Sequence, residues 1–189
     1  MGLPTVSRVT RSDAEAVVVT RDEGFVGDVP HGPGSFDSFE FRRTLGRFAT
    51  GITVVTMLGD DDEPYGITVN SFMSLSLTPP LIAVSIDKRA GAHATLLSAE
   101  RFGVSVLSGD QADLSDHFAG RPVALADDPF GSLAGFPVIE GAIGTLVSRN
   151  SRTVDVGDHT LFIGEVEAIE RHDDQPLIFF GGQYRLLDH

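Results

Sequence analysis

The 189-residue sequence contains no cysteine and no tryptophan. Without cysteine the chain cannot form a disulfide, a thiolate nucleophile, an iron–sulfur cluster or a thiolate zinc site. No apolar run approaches the roughly 18 residues that a membrane-spanning helix needs. The N-terminus mixes basic and acidic residues and has no long apolar core, unlike a signal peptide. We therefore expect a cytoplasmic protein with no membrane partner.

Basic residues are also scarce, since 14 Lys and Arg against 27 Asp and Glu give a formal net charge of −13. A surface of this sign repels the phosphates of nucleic acids and of anionic lipids, so neither is expected as the main partner. An acidic protein can still bind an anionic cofactor in a local basic pocket.

Several common catalytic motifs are absent: G-x-G-x-x-G, G-x-x-x-x-G-K-[ST], H-E-x-x-H and G-x-S-x-G. These absences argue against a Rossmann dehydrogenase, a P-loop enzyme, a common zinc protease and an α/β-hydrolase. The six histidines form no ligand-like pair, so we expect no metal site.

The residues that are present are typical of one globular domain, with 41% hydrophobic and 22% charged residues. Residues 1–36 have scattered charges, a Gly-Pro-rich segment and a short apolar run at 16–19 that could add an edge strand. They are predicted to be an N-terminal extension, partly disordered or packed on a partner. Residues 37–189 are predicted to form the main domain.

Periodicity in this domain predicts a mainly β fold with short helices and no regular βαβ alternation, as in a barrel. A helix is expected after an N-cap at Ser38, with an acidic hairpin turn at 60–64. Residues 120–137 are expected to be a long surface loop. The other predicted helices are 91–100 and 110–119, the latter capped by Asp110, and the predicted strands are 52–57, 101–107, 142–154, 161–170 and 176–187.

The most informative stretch, residues 65–88, contains two strand-like segments joined by a hydroxyl-rich connection that ends at Pro79-Pro80. Thr68, Asn70 and Ser71, with neighbouring backbone groups, could supply donors and acceptors to a planar polar ligand. An ordinary strand pair with Ser/Thr turn chemistry would give the same pattern.

This stretch resembles the flavin-contacting segment of the short-chain flavin reductases, the reductase partners of two-component flavin monooxygenases. Their pattern is G-x-T-x-N-[SA]-F-x-S-[VL]-S, then x-x-P-P-L, then a strand ending in D-[KR]. The resemblance extends over residues 41–187. The matching positions here are Gly66, Thr68, Asn70, Ser71, Phe72, Ser74, Leu75, Ser76, Pro79, Pro80, Leu81, Asp87 and Lys88.

The resemblance implies an FMN-binding split β-barrel of Greek-key type that works as a homodimer. It also implies an enzyme in which NADH or NADPH passes a hydride to N5 of FMN or FAD, and the reduced flavin diffuses to a separate monooxygenase. A non-enzymatic flavin- or haem-binding split barrel is the alternative. An oxidase of the pyridoxamine-phosphate type is a third reading, which the 157–166 block and the S-x-x-P-P connection argue against.

By the same resemblance, the flavin-binding residues form two groups and a closing block. They are Gly66, Ile67, Thr68, Val69, Asn70 and Ser71; then Ser85, Ile86, Asp87, Lys88, Arg89 and His93; and finally Tyr184 and Arg185 in P-L-I-F-F-G-G-Q-Y-R. The closing block could equally be a core strand with an exposed Arg185.

One departure from the family concerns the flavin phosphate. Where the family has an S-x-T-H segment, this chain has Ala90, Gly91, Ala92 and His93, so both hydroxyls are missing. The phosphate would then depend on Lys88, Arg89, Ser85 and backbone N–H groups at the start of the next helix.

His159 lies in G-D-H-T-L-F-I-G-E-V, the family's second signature block, at the start of a predicted strand. From the residues alone it could be a turn histidine satisfied by the backbone. By the resemblance it positions the nicotinamide beside the flavin ring. Hydride transfer needs no general acid on the nicotinamide carbon, so its expected role is orientation and electrostatics.

Overall fold

The computed structural model describes residues 36–121 and 123–187. The described residues divide into two compact units, one of residues 36–50 and 178–187 and the other of residues 51–121 and 123–177. The predicted extension, apart from Phe36, and the edge strand predicted at 16–19 lie outside the described residues. No helix in the part of the chain that the structure describes is long and apolar enough to cross a membrane.

The first unit contains helix α1 (Ser38–Leu45) and most of a three-stranded sheet. The N-cap of α1 is Asp37, whose Oδ1 accepts a hydrogen bond of 2.7 Å from Glu40 N. The prediction of Ser38 as the cap was therefore wrong by one residue, because the carboxylate one position earlier satisfies the free amide.

The sheet of this unit is formed in the order β1 (Thr50–Gly51), β11 (Ile178–Phe180) and β12 (Gln183–Arg185). The predicted continuous strand 176–187 is instead a hairpin. Its turn is at Gly181 and Gly182, whose φ angles of +61° and +81° favour glycine.

The second unit is built on a seven-stranded antiparallel sheet in the order β3-β2-β6-β9-β10-β5-β4. A separate hairpin of β7 and β8 accompanies it, together with two seven-residue helices, α2 (Ala92–Ser98) and α3 (Ala112–Phe118). The strands are β2 (Thr53–Leu58), β3 (Pro64–Val69), β4 (Met73–Leu77), β5 (Pro80–Asp87), β6 (Arg101–Val106), β7 (Phe130–Leu133), β8 (Phe136–Ile139), β9 (Gly144–Val156) and β10 (His159–Arg171).

The mainly β prediction is confirmed, as are the acidic turn between β2 and β3 and both short helices, within a few residues at each end. Three details were wrong. The hydroxyl-rich connection predicted between the two strands of residues 65–88 contains a further strand, β4, which pairs with β5 along the edge of the sheet. The second half of the predicted loop 120–137 forms the hairpin of β7 and β8, which turns through Ala134 and Gly135 at positive φ. Asp110 does not cap α3, because its carboxylate accepts the Ser108 hydroxyl at 2.6 Å and the N-cap is Gln111.

The larger core cluster lies against one face of the sheet, and a smaller one of Phe136, Val138 and Val147 lies against the other. Strand alternation decides which side chains enter each cluster. On β10, Phe162 is fully buried and Thr160 is 2% exposed, opposite Val84 and Ile86 of β5. A Cβ on Gly164 would lie 2.6 Å from Phe102 Cζ, so only glycine lets that ring pack against the strand. The buried members of the core cluster are Val55, Met57, Ile82, Val84, Ile86, Ala92, Leu96, Phe102, Val104 and Phe162.

Candidate functional site

The segment that follows β3 returns to β5 through Ser71 and Ser85. The Ser71 hydroxyl donates to Ser85 O at 2.8 Å and accepts from Ser85 N at 3.1 Å. These two hydrogen bonds attach the chain to β5 two residues beyond the pairing of Met73 with Ala83. Two of the predicted site residues are joined in this way, although 14 positions separate them.

The residues of β3 predicted to contact a ligand also have clear structural partners. Thr68 Oγ1 donates to Ser115 O of α3 at 2.7 Å. Gly66 is buried, and a Cβ there would lie 2.8 Å from the Phe118 ring. Half-buried Ile67 and Val69 pack against the core cluster, whereas Asn70 is exposed beyond the strand end. Among the predicted residues of this segment, Asn70 has the most accessible side chain.

The end of β5 presents a paired carboxylate and guanidinium. Arg89 donates from Nε to Asp87 Oδ1 at 3.0 Å and from Nη2 to Asp87 Oδ2 at 2.6 Å. These hydrogen bonds hold the pKa of Asp87 far below its usual range and raise that of Arg89. The charge of Arg89 is therefore partly neutralised before any ligand binds.

Lys88 points toward the turn between β9 and β10. Its Nζ donates to Gly157 O at 3.1 Å and lies 3.5 Å from Asp155 Oδ1, while its backbone N–H donates to Asp158 O at 3.0 Å. The ammonium group is 3.1 Å from one turn carbonyl and close to one carboxylate, so the hairpin fixes its position.

His159, the predicted nicotinamide-positioning residue, begins β10 directly opposite Asp87. Its Nδ1 lies 2.8 Å from Asp158 Oδ1, and its side chain is 40% exposed. This hydrogen bond is the main cause of a lowered pKa for Asp158. Two carboxylates therefore flank the imidazole, one from the preceding residue and one from the neighbouring strand.

His93 lies on α2 and is half-buried. Its Nε2 is 2.9 Å from Thr160 Oγ1, and its ring packs edge-on against Phe162 with 5.7 Å between centroids. Since Thr160 and Phe162 point into the core, His93 meets the core face of β10. The His159 side chain, one position before Thr160, points to the opposite face of β10.

The sheet therefore brings most of the predicted residues to the ends of β5 and β10 but divides them between two faces. Ser85, Asp87 and His159 alternate onto one face, and Ile86 onto the other, the face that His93 contacts. Tyr184 and Arg185 belong to the first unit, where Tyr184 packs against Phe179 with 6.0 Å between centroids and Arg185 bonds Gln183. Their ligand contacts stay a prediction.

Residues 88–93 carry an ammonium group, a guanidinium group and an imidazole, which are the kinds of group that bind phosphate in proteins. Fewer backbone N–H groups can donate to a phosphate than the sequence predicts. Four N–H groups of this segment donate within the chain: those of Lys88, Arg89, Ala90 and His93. Sequence reasoning missed Thr160 and Asp155, which lie on the hairpin opposite and bond the predicted residues.

Comparison with known proteins gives the class of this chain. The flavin reductase like domain matches residues 45–188, which is most of the sequence, so the chain belongs to that family. An NADH-dependent flavin reductase of a Rhodococcus species is 40% identical over 149 residues, covering 78% of this chain and 85% of the relative. The reductase component of 4-hydroxyphenylacetate 3-monooxygenase of Thermus thermophilus is 38% identical, covering 78% of this chain and 95% of the relative.

A solved structure extends the comparison to the fold. The NADH:FAD oxidoreductase SgcE6 of Streptomyces globisporus, in complex with NAD and FAD fragments, superposes with a TM-score of 0.73 at 38% identity. The match covers 80% of this chain and 93% of that structure. The predicted split-barrel fold is confirmed, with sheets that do not close into a complete ring.

Proposed function

We propose that this chain is an NAD(P)H-dependent flavin reductase that transfers a hydride from NADH or NADPH to FMN or FAD. The observation that carries the proposal is the placement of His159 opposite Asp87. In a chain of this family, that register brings the signature histidine to the end of β5 that Lys88 and Arg89 directly follow, which supports a shared site. The relatives named as NADH-dependent flavin reductases support the same activity.

The residues of the site would divide the work of binding two nucleotides. Lys88, Arg89 and His93 supply positive charge or donors for the flavin phosphate, and Asn70 with nearby backbone groups meets the polar edge of the ring. His159 is exposed enough to contact and orient a nicotinamide. A bound flavin supplies the hydride-accepting ring. The chain needs only to hold donor and acceptor in reach and to release the product.

Three further parts of the proposal concern partners and location. The reduced flavin passes to a separate monooxygenase, as the name of the Thermus relative suggests for that protein. The protein works in the cytoplasm, where reduced nicotinamide nucleotides are supplied. It forms a homodimer, since α1 has no buried residue and several large apolar side chains on the helix or within three residues of its ends are exposed: Phe36, Phe39, Phe41, Leu45 and Phe48.

The decisive experiment is anaerobic titration of the purified protein with NADH in the presence of FMN and then FAD, following flavin absorbance. We expect catalytic reduction of added flavin in excess of the protein. A tightly held flavin reduced once per chain would instead identify a binding module, and the absence of any flavin reduction would contradict the proposal. Light scattering after size exclusion tests the dimer, with a single-chain mass of 20.2 kDa as the contradicting result.

A further inference from the structure

We infer that Thr160 and Asp155 are positioning residues that fix the imidazole of His93 with its proton on Nε2. The inference rests on the proposed function only in the role of His93 as a flavin-phosphate residue. The arrangement of hydrogen bonds stands by itself. Neither Thr160 nor Asp155 is a predicted ligand-binding residue.

The direction of the hydrogen bonds follows from what each group can do. Thr160 Oγ1 lies 3.1 Å from Asp155 Oδ1 and 2.9 Å from His93 Nε2. A carboxylate accepts hydrogen bonds, so the single hydroxyl proton of Thr160 is donated to Asp155. The hydroxyl oxygen can then only accept from His93, which requires a proton on Nε2.

Burial makes this arrangement specific. Thr160 is 2% exposed, and the His93 ring is held edge-on against the fully buried Phe162. A buried hydroxyl without its partners would lose its hydrogen bonds to water with no replacement. The ring is therefore held by packing against Phe162 and by one polar contact.

Asp155 also connects the two predicted phosphate residues. Its Oδ1 accepts from Thr160 at 3.1 Å and lies 3.5 Å from Lys88 Nζ. One carboxylate oxygen on the hairpin thus orients the hydroxyl behind His93 and the ammonium group of Lys88. The hydroxyls that the family's S-x-T-H segment would supply are missing here, so the placement of these two side chains matters more for binding the phosphate.

The test is a long-range 1H–15N spectrum of the histidine rings of the 15N-labelled full-length protein, at a pH where the rings are neutral. We expect His93 to show the Nε2–H tautomer with a ring N–H proton protected from exchange. His117 serves as an internal standard, because its Nδ1 lies 2.9 Å from Val123 O, a carbonyl that only accepts, and so must be Nδ1–H. An Nδ1–H tautomer at His93 would overturn the inference.

Matched variants separate positioning from general structure. Thr160→Val keeps the shape and removes the hydroxyl, so the His93 N–H signal should be lost to exchange, whereas Thr160→Ser should retain it. Asp155→Ala should weaken the signal and Asp155→Asn should retain it, because the amide oxygen still accepts. Asp128→Ala removes a carboxylate whose hydrogen bond within the described part of the chain is to the nearby Phe130 N, and it should change nothing. A signal unchanged in Thr160→Val would overturn the inference.

Flavin binding supplies the functional measurement. At a pH low enough for both nitrogens of the His93 ring to carry protons, Nδ1–H can donate to the FMN phosphate while Nε2–H donates to Thr160. Under that condition Thr160→Val should raise the Kd for FMN about two- to tenfold, and Thr160→Ser should leave it near the original value. An equal Kd for FMN in both variants would show that His93 needs no positioning for binding. If the unaltered protein binds no flavin, the proposed function fails, while the tautomer of His93 is still decided by the spectrum.

Discussion

Asp87 and Arg89 form a two-bond fork across a single intervening residue, with N–O distances of 3.0 and 2.6 Å. The sequence presents Arg89 as a phosphate ligand, but in the structure its guanidinium is already directed at a carboxylate. A flavin phosphate bound at the proposed position would therefore have to compete with Asp87 or share the guanidinium with it. Such competition favours loose binding, which suits a protein that has to release its product.

Replacing Asp87 by Asn should strengthen FMN binding. The variant removes one negative charge close to the predicted phosphate position and lowers the Kd for FMN about two- to fivefold, measured by quenching of flavin fluorescence. Lumiflavin, which has no phosphate, should bind the original protein and the variant equally. Glu167→Gln is a matched control, because Glu167 also pairs with an arginine, Arg101, at 3.0 Å on the sheet. Weaker FMN binding in Asp87→Asn would contradict this prediction.

The same pair predicts a specific dependence of stability on acid. The pKa of Asp87 is lower in the folded chain than its unfolded value of about 3.9, mainly because of the hydrogen bond from Arg89. Its stabilising contribution is therefore complete above about pH 4 and is lost as the pH falls toward the folded pKa. Because both side chains are partly exposed, the contribution is about 1 kcal/mol or less.

Urea unfolding at several pH values checks this contribution. The unfolding free energy of the original protein should exceed that of Asp87→Asn at pH 6, and the difference should shrink as the pH is lowered from 4 to 3. If the difference in unfolding free energy stays constant between pH 4 and pH 3, the Asp87–Arg89 pair makes no pH-dependent contribution to stability.

His159→Ala should slow flavin reduction more than it weakens flavin binding. The imidazole is 40% exposed at the start of β10 and contributes no core packing, so its loss should affect the orientation of the nicotinamide. We expect the anaerobic reduction rate to fall about tenfold or more while the Kd for FMN changes less than about twofold. His172→Ala, at another exposed histidine near an acidic side chain, is the control. Unchanged reduction kinetics would remove His159 from the site.

Local patterns in the sequence predicted six of the seven strands of the main sheet, because alternation of apolar and polar residues survives in the folded sheet. The edge strand β4 was missed, because its serine-rich segment was interpreted as a connection. The hairpin of β7 and β8 was missed, although Ala134-Gly135 lies between two short apolar runs and takes positive φ at both positions. The surrounding residues are also rich in Gly, Pro and Asp, so this turn could not be distinguished from the rest of the predicted loop.

The sequence motifs predicted individual site residues but not the contacts between them. Motifs located Asp87, His93 and His159, but not the bond between His93 and Thr160, which are 67 positions apart. Nor does a motif indicate that His93 contacts the opposite face of β10 from the one that His159 begins. Both relationships depend on the register of β10 against β5, which the residues of one strand do not specify alone.

Gly66 illustrates the same limit and gives the last prediction. The resemblance places Gly66 among the flavin-binding residues, but in the structure its absent Cβ makes room for Phe118 of α3. A Cβ would lie 2.8 Å from Cδ1 and Cε1 of that ring and 3.1 Å from Val54 Cγ1. Overpacking of this kind costs about 1–3 kcal/mol.

We therefore expect Gly66→Ala to lower the unfolding free energy by about 1–3 kcal/mol, measured by urea unfolding. Gly51→Ala is the control, because a Cβ at Gly51 meets no atom within 4 Å, and it should change stability by less than about 0.5 kcal/mol. If the Phe118 ring is the cause, Phe118→Leu in the Gly66→Ala background should recover part of the loss, since residues in contact are not additive. Full stability of Gly66→Ala, together with weaker FMN binding, would instead assign Gly66 to the ligand and not to the packing of α3.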